Sequence, residues 1–193
     1  MAGDEGAAVA RDAPRWKRLS WWRWYVGVLT FSVATTVAQA QPLQPIDTSG
    51  WKTYRNESMG FETKCPSTWS VGALKGTAPE NVVLGGPPQV EGSNLRVQFW
   101  VQRQMNPKGL SIQQWYADQL SRQTSRPLAT TYPVIGGRPA VRMEMVGSLS
   151  RMFSFFVALN KTDVFQITID LPPAQTRLDP TYEALLSTFR FIE

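Results

Sequence analysis

Between residues 94 and 104 apolar and polar positions alternate as far as Gln102. Leu95, Val97, Phe99 and Val101 point one way and Arg96, Gln98, Trp100 and Gln102 the other. A period of two is the mark of a strand with one apolar face. Shorter strand candidates precede it at 51–54, 59–64 and 69–75, separated by Asn, Ser, Gly and Pro. The runs Gly85-Gly86-Pro87-Pro88 and Asn106-Pro107-Lys108-Gly109 read as the loops on either side. Four more strands are predicted at 128–135, 138–146, 151–159 and 164–171. Gly136-Gly137 is a two-residue hairpin signal between the first two, and 160–163 is a longer turn between the last two, so these neighbours are antiparallel.

The period changes to that of a helix twice. After Ser111, the residues Ile112, Trp115, Tyr116, Gln119 and Leu120 fall on one side, with Ser111 placed as N-cap and Gln114 three residues on. Near the end, Asp179 precedes Pro180, and Tyr182, Leu185, Leu186 and Phe189 share a side. The pattern predicts an α+β domain in which helices lie on an antiparallel sheet. Its expected inward set is Val141, Met143 and Met145 with Phe153, Phe155, Val157, Leu159, Phe165, Ile167 and Ile169. Ten large apolar side chains make a core that needs no metal or disulfide.

The first forty residues follow another pattern. A basic, Trp-rich stretch at 11–23 is followed by an uncharged stretch at 24–37 and closed by Ala38-Gln39-Ala40. This is the layout of a secretory signal peptide cleaved after Ala40. A retained membrane anchor is the alternative. The uncharged run 24–40 sits at the lower limit of the roughly 17 to 25 residues needed to cross a bilayer, and Thr30, Ser32, Thr35, Thr36 and Gln39 interrupt it. Lys17-Arg18 only approximates a twin-arginine signal, and no cysteine stands at the cleavage point to take a lipid. The expected organisation is a signal peptide at 1–40, an extended lead-in at 41–50 and a single domain at 51–193. The expected location is periplasmic or secreted, with membrane contact only through an uncleaved leader.

Charge and reactive residues narrow the chemistry. The net charge of the 193-residue chain is +5, but the leader holds five of the basic and three of the acidic residues, so the rest carries +3. Its basic residues are scattered, which gives no support for nucleic-acid binding. Histidine is absent and cysteine occurs once, at Cys65, which removes His-based triads, the usual zinc sites and intrachain disulfides. Cys65 is expected to be buried and inert. No nucleophile elbow or phosphate loop is found, and Pro87 and Pro88 deprive the Gly85-Gly86 run of amide donors. Asp163 and Asp170 differ by seven positions and so face opposite sides of a regular strand. Glu62, Glu144 and Asp170 are read as solvated surface charges. The sequence indicates no catalytic residue, metal ligand or cofactor.

The candidate binding residues are the polar positions of the central strands. Arg96, Gln98, Trp100 and Gln102 share one row, and Arg138, Arg142 and Glu144 another. If the rows coincide they form a patch of guanidinium, amide and indole groups suited to a peptide or an anionic ligand. The bland reading is that a helix or loop covers Trp100 and the arginines line the rim.

Several runs resemble a known family. Trp51-Lys52-Thr53-Tyr54, Gly60-Phe61 through Cys65-Pro66, and Trp69-Ser70-Val71 resemble the opening strands of PsbP-like domains. Pro127-Leu128 and Gly137-Arg138-Pro139-Ala140 resemble their middle strands, and Tyr182 through Ser187-Thr188-Phe189-Arg190-Phe191 resembles their last helix and its Ser-Phe-x-Phe finish. The resemblance implies an αβα sandwich with a central antiparallel sheet, as in the PsbP and Mog-like proteins and their bacterial DcrB-like and Eag chaperone relatives. It also implies action by binding. Cys65 stands where the pattern has Tyr, and without histidine the metal-associated roles of photosynthetic members do not transfer. The expected function is that of an exported, non-catalytic envelope protein with a protein or peptide partner. A carrier or sensor of a small ligand is the second reading and an unrecognised hydrolase the third.

Overall fold

The alternating run becomes a strand, Arg96–Gln102, bonded on both sides within an antiparallel sheet. The computed structural model describes residues 46–73, 80–86 and 96–192, which fall in one compact unit. The leader 1–40, the lead-in as far as 45, the prolines of the 85–88 loop and Leu95 lie outside the described residues. In chain order the elements are β1 (Lys52–Asn56), β2 (Phe61–Cys65), β3 (Ser70–Gly72), β4 (Asn81–Gly85), β5 (Arg96–Gln102), α1 (Ile112–Arg122), β6 (Ala129–Thr131), β7 (Val134–Ile135), β8 (Arg138–Val146), β9 (Arg151–Ala158), β10 (Val164–Leu171), α2 (Pro180–Thr188) and β11 (Arg190–Phe191). The larger sheet has the order β3-β4-β5-β10-β9-β8-β6, with β7 also paired to β8, and the smaller one is β1-β2-β11.

The layers follow from which side chains each face presents. One face of the large sheet carries Val82, Leu84, Val97, Phe99, Phe153, Phe155, Val157, Phe165, Ile167 and Ile169. Against it pack the small sheet, through Phe61 and Cys65, and α2, through Tyr182, Leu185 and the C-cap Phe189. Phe61, Phe99, Phe165 and Phe189 meet at centroid distances of 4.8 to 6.3 Å in the middle of this layer. On the opposite face α1 lies over β8 and β9, where Ile112, Trp115 and Tyr116 cover Val141, Met143 and Phe156. The architecture is α+β, with helices on both sides of an antiparallel sheet.

Both helices start as their sequences predict. The Ser111 hydroxyl accepts from the Gln114 amide while the Gln114 side chain accepts from the Ser111 amide, a complete capping box. The Asp179 carboxylate accepts from the Thr181 amide, with Pro180 in the first turn.

The structure departs from the sequence reading in several places, each for a physical reason. Strand β4 was not expected, because Val82 and Leu84 face the core while Val83 is half-buried on the other side, which erases the alternation. The expected strand 128–135 is interrupted at Tyr132-Pro133 into β6 and β7; proline has no amide to donate and sits naturally at such a break on a sheet edge. Of the expected strand 69–75, β3 covers Ser70–Gly72 and Trp69 turns into the core against Tyr182, while residues 74 and 75 lie outside the described residues. The inward set also divides. Val141, Met143 and Met145 pair with Phe156, Ser154 and Met152 and face α1, whereas Phe153, Phe155 and Val157 face α2 and the small sheet.

The turn between β7 and β8 has the two positive φ angles of a tight hairpin, +56° at Gly136 and +79° at Gly137. A Cβ on Gly136 would stand 3.0 Å from Phe189 Cδ1 and 3.1 Å from Phe191 Cδ2, whereas one on Gly137 would meet nothing within 4 Å. Both changes to alanine carry the left-handed penalty of about 1–2 kcal/mol, and only Gly136→Ala must also displace two core rings. Urea unfolding is expected to show Gly136→Ala as the more destabilised by about 1 kcal/mol or more. Equal losses would mean that the turn does not bear on the aromatic layer.

Candidate functional site

The upper layer on the α2 side is narrower than the sheet beneath it. The small sheet and α2 pack on β4, β5, β10, β9 and the Arg138–Ala140 end of β8, and Arg142 with β6 lies at the edge of that cover. The result is a groove of about 290 Å³. One wall is the edge segment Thr131, Pro133, Val134 and Ile135, the other is Leu178 with Glu183, Leu186 and Ser187 of α2, and the floor is Arg142 and Phe155. On the same edge Leu128 is 64 % exposed, Tyr132 61 % and Val134 69 %, but Val134 stands opposite Pro139, which turns its side chain to the α1 side of the sheet, while Ile135, opposite Arg138, faces the groove.

Arg142 is the polar feature of the floor. Register pairs it with Phe155 on β9 and Thr131 on β6, so its side chain rises on the α2 face. Its guanidinium lies 4.8 Å from the Phe153 ring centroid and 6.0 Å from that of Phe155. Among the described residues it makes no hydrogen bond and no ion pair. The stacked face of the guanidinium is satisfied by the rings, and the N–H groups on its edge remain without acceptors.

The neighbouring candidates are already engaged. Glu144 is ion-paired with Arg151, both side chains being 12 % exposed. Arg138 donates to the carbonyls of Leu159 at 2.8 Å and Ala158 at 3.3 Å, and its guanidinium stacks on Phe191 at 4.3 Å. These two residues hold the ends of β8 to the rest of the fold.

The other predicted row lies on the opposite face of the sheet. Arg96, Gln98, Trp100 and Gln102 of β5 stand opposite Asp170, Thr168, Gln166 and Val164 of β10, and that register places them on the α1 side. The two rows therefore do not form one patch; β10 and β9 separate the strands, and the side chains point to opposite sides of the sheet. The β5 row belongs to a polar band of its own. Gln102 bonds to Gln166, Gln166 to Thr168 at 3.0 Å and to Ser154 at 3.5 Å, and Gln98 to Asp170 at 3.3 Å. Trp100 is half-buried beside it, and among the described residues its indole makes no hydrogen bond and stacks on no ring.

The carboxylates read as solvated charges are in ion pairs instead. Glu62 is held by Arg55 at 3.3 Å and Arg190 at 3.6 Å, Glu144 by Arg151, and Asp170 by Arg96 at 3.9 Å. Burial raises the Asp170 pKa against the opposing effects of Arg96 and Gln98. Cys65 is fully buried with its pKa raised by desolvation, as expected of a structural thiol. Among the described residues no group of three His, Cys, Asp or Glu could hold a metal ion. No helix among them is long and apolar enough to cross a membrane. The sequence reading missed the groove walls, Ile135 and Leu186 above all; the available signal was Pro133 within an apolar strand, which marks an edge.

No protein-family model and no curated protein matches the chain. Its structure is similar to the solution structure of cyanobacterial PsbP (CyanoP) from Synechocystis sp. PCC 6803, with a TM-score of 0.50 and 12 % identity over 79 % of this chain and 98 % of that one. It is also similar to a crystal structure from Bacteroides thetaiotaomicron, with a TM-score of 0.49 and 11 % identity over 75 % of this chain. The match spans about half, 49 %, of the length of the Bacteroides protein. The fold is PsbP-like.

Proposed function

We propose that the chain is an exported, non-catalytic protein that uses a PsbP-like scaffold to bind a protein or peptide partner. The observation that carries this reading is the groove: a trough between the sheet edge and α2, lined by Pro133, Ile135 and Leu186, with an arginine in its floor that has no hydrogen-bond or ion-pair partner among the described residues. Interaction sites combine apolar contact area with a few oriented polar groups in this way. Export is supported by the charge, apolar run and Ala-x-Ala order of the leader. The non-catalytic reading is supported by the absence of histidine and by the engagement of Glu62, Glu144 and Asp170 in ion pairs.

Crosslinking in the producing cells, with a C-terminally tagged protein and mass spectrometry of the captured material, tests the reading. Wild type is expected to start at Gln41 and to capture one reproducible envelope partner. Ser187→Arg, which places a bulky charge on the exposed α2 wall of the groove, is expected to lose that partner, and Trp100→Ala, on the other face, to keep it. The reverse pattern would move the site to the polar band of β5 and β10. An unprocessed bait, or the same background for all three proteins, would remove the exported binding-protein reading.

A further inference from the structure

We infer that the free sheet edge formed by β6 and β7 pairs with the same edge of a second copy of this chain, on a twofold axis that sets Tyr132 opposite Tyr132 of the second copy. The register along this edge is continuous. Thr131 stands opposite Arg142 and Val134 opposite Pro139, and between them the Ala140 amide donates to the Pro133 carbonyl at 2.9 Å. In an antiparallel ladder, residues that exchange hydrogen bonds with one neighbouring strand alternate with residues whose amide and carbonyl point to the other side. Thr131 and Pro133 therefore turn their backbone groups to β8, and Thr130, Tyr132 and Val134 turn theirs out of the sheet. Both β6 and β7 pair with β8 alone, so these outward amides and carbonyls have no ladder partner among the described residues.

The devices that guard such an edge are absent or out of phase. Sheet edges are commonly protected by charged side chains or by a proline that removes an outward donor. From 127 to 137 the chain carries no charge, and the amide that Pro133 lacks would have pointed to β8, not to the free side. The side chains of Tyr132 and Val134 stand 61 % and 69 % exposed at this edge. The order of the row selects a second copy as the occupant. Thr130, Tyr132 and Val134 are evenly spaced about Tyr132, so an antiparallel copy sets Thr130 opposite Val134 and Tyr132 opposite Tyr132, and every outward amide meets an outward carbonyl. Aromatic and β-branched pairs of this kind favour antiparallel strands, and the uncharged run leaves no charge facing another. The contact also closes on itself, because neither copy then offers this edge again. By the same register Tyr132 and Val134 project to the α1 side, so the groove floor on the α2 side stays open and the inference does not depend on what that groove binds. One strand from each copy makes a small interface, below about 1,200 Å² in total, so the dimer is expected to be reversible.

Sedimentation equilibrium of the purified protein from about 5 to 500 μM tests the contact, and wild type is expected to show a monomer–dimer equilibrium within that range. Tyr132→Lys and Tyr132→Glu each set like charges against one another on the axis, and each is expected to weaken the dimer about tenfold or more. Mixed in equal amounts, the two variants face each other as an opposite-charge pair and are expected to dimerise again. Thr130→Pro removes one outward amide from each copy, at a position where an edge strand accepts proline, and should also weaken the dimer about tenfold. Circular dichroism melting of all three variants is expected to stay within a few degrees of wild type, which separates a lost contact from a lost fold. A wild-type protein that is monomeric throughout the range overturns the inference. So does a dimer that is equally strong in both charged variants, which places the contact on another surface. A dimer lost in both variants and not restored by mixing them overturns the twofold through Tyr132, and the inference with it.

Discussion

Phe61→Ala is expected to be the most damaging single truncation among these predictions, lowering stability by about 3–5 kcal/mol. Phe61 is fully buried and touches four other rings: Phe99 at 4.8 Å, Phe165 at 5.3 Å, Phe189 at 5.4 Å and Tyr54 at 5.9 Å. Those rings come from β1, the large sheet and the end of α2, so the cavity opens where the layers meet and no single element can shift to fill it. For a domain of this size each kcal/mol moves the melting temperature by about 2–4 °C, so a drop of roughly 6–20 °C is expected by circular dichroism. Leu149→Ala, at a side chain 89 % exposed, should leave it within about 0.5 kcal/mol of wild type and serves as the control. A Phe61→Ala loss below about 1 kcal/mol would mean that the small sheet is not packed on the large one as described.

Strands with one apolar and one polar face were legible from the sequence; those with apolar residues on both faces were legible as strands but not as faces. In β5 the alternation alone assigns Val97, Phe99 and Val101 to the core, and the structure agrees. In β8 and β9, apolar residues at successive positions, such as Ala140 with Val141 and Phe155 with Phe156, are both buried because α1 covers one side and α2 with the small sheet the other. A period-two reading cannot divide such a run. Only the register, Val141 opposite Phe156 and Arg142 opposite Phe155, makes the division.

The candidate site was legible to a different degree. Sequence identified Arg142 as a residue worth testing, yet what distinguishes it from Arg138 two turns of the pleat away is long-range. Arg138 finds the carbonyls of Ala158 and Leu159, while α2 ends its cover short of Arg142 and brings no hydrogen-bonding partner to it. The same limit explains why the rows of β5 and β8 could not be assigned to one patch. Whether two polar rows coincide depends on how many strands lie between them and on their register, neither of which is a local property. The likeness to CyanoP supplies the scaffold, and a scaffold shared at 12 % identity carries no site with it.

Asp163 carries a weight in the fold that its place in the sequence does not indicate. Asp163 precedes β10 and accepts from the Gln104 amide at 3.0 Å, Arg103 at 2.8 Å, the Asn160 side-chain amide at 3.0 Å and the Thr162 hydroxyl at 3.2 Å. Gln104 is the described non-glycine residue with a positive φ, +58°, so this carboxylate holds a left-handed backbone next to the turn that joins β9 to β10. The amide of Gln104 first, then Arg103 and Asn160, keep the Asp163 carboxyl well below its ordinary value of 3.8. Asp163→Ala leaves those donors without their acceptor and is expected to cost about 3 kcal/mol near neutral pH, with the Arg103 share small because that side chain is half exposed. Because the folded-state pKa lies below the unfolded one, the carboxylate's contribution is complete above about pH 5 and is lost as the pH falls through 4 and below. The stability gap between wild type and Asp163→Asn should therefore be flat from about pH 5 to 8 and narrow steadily from about pH 4 to 2. Asp47 and Asp118, whose pKa values are also lowered by hydrogen bonds, are present in both proteins and cancel in the difference. Urea unfolding across that range measures the gap, and a gap that stays constant down to pH 2 would show that Asp163 acts through shape alone and not through its charge.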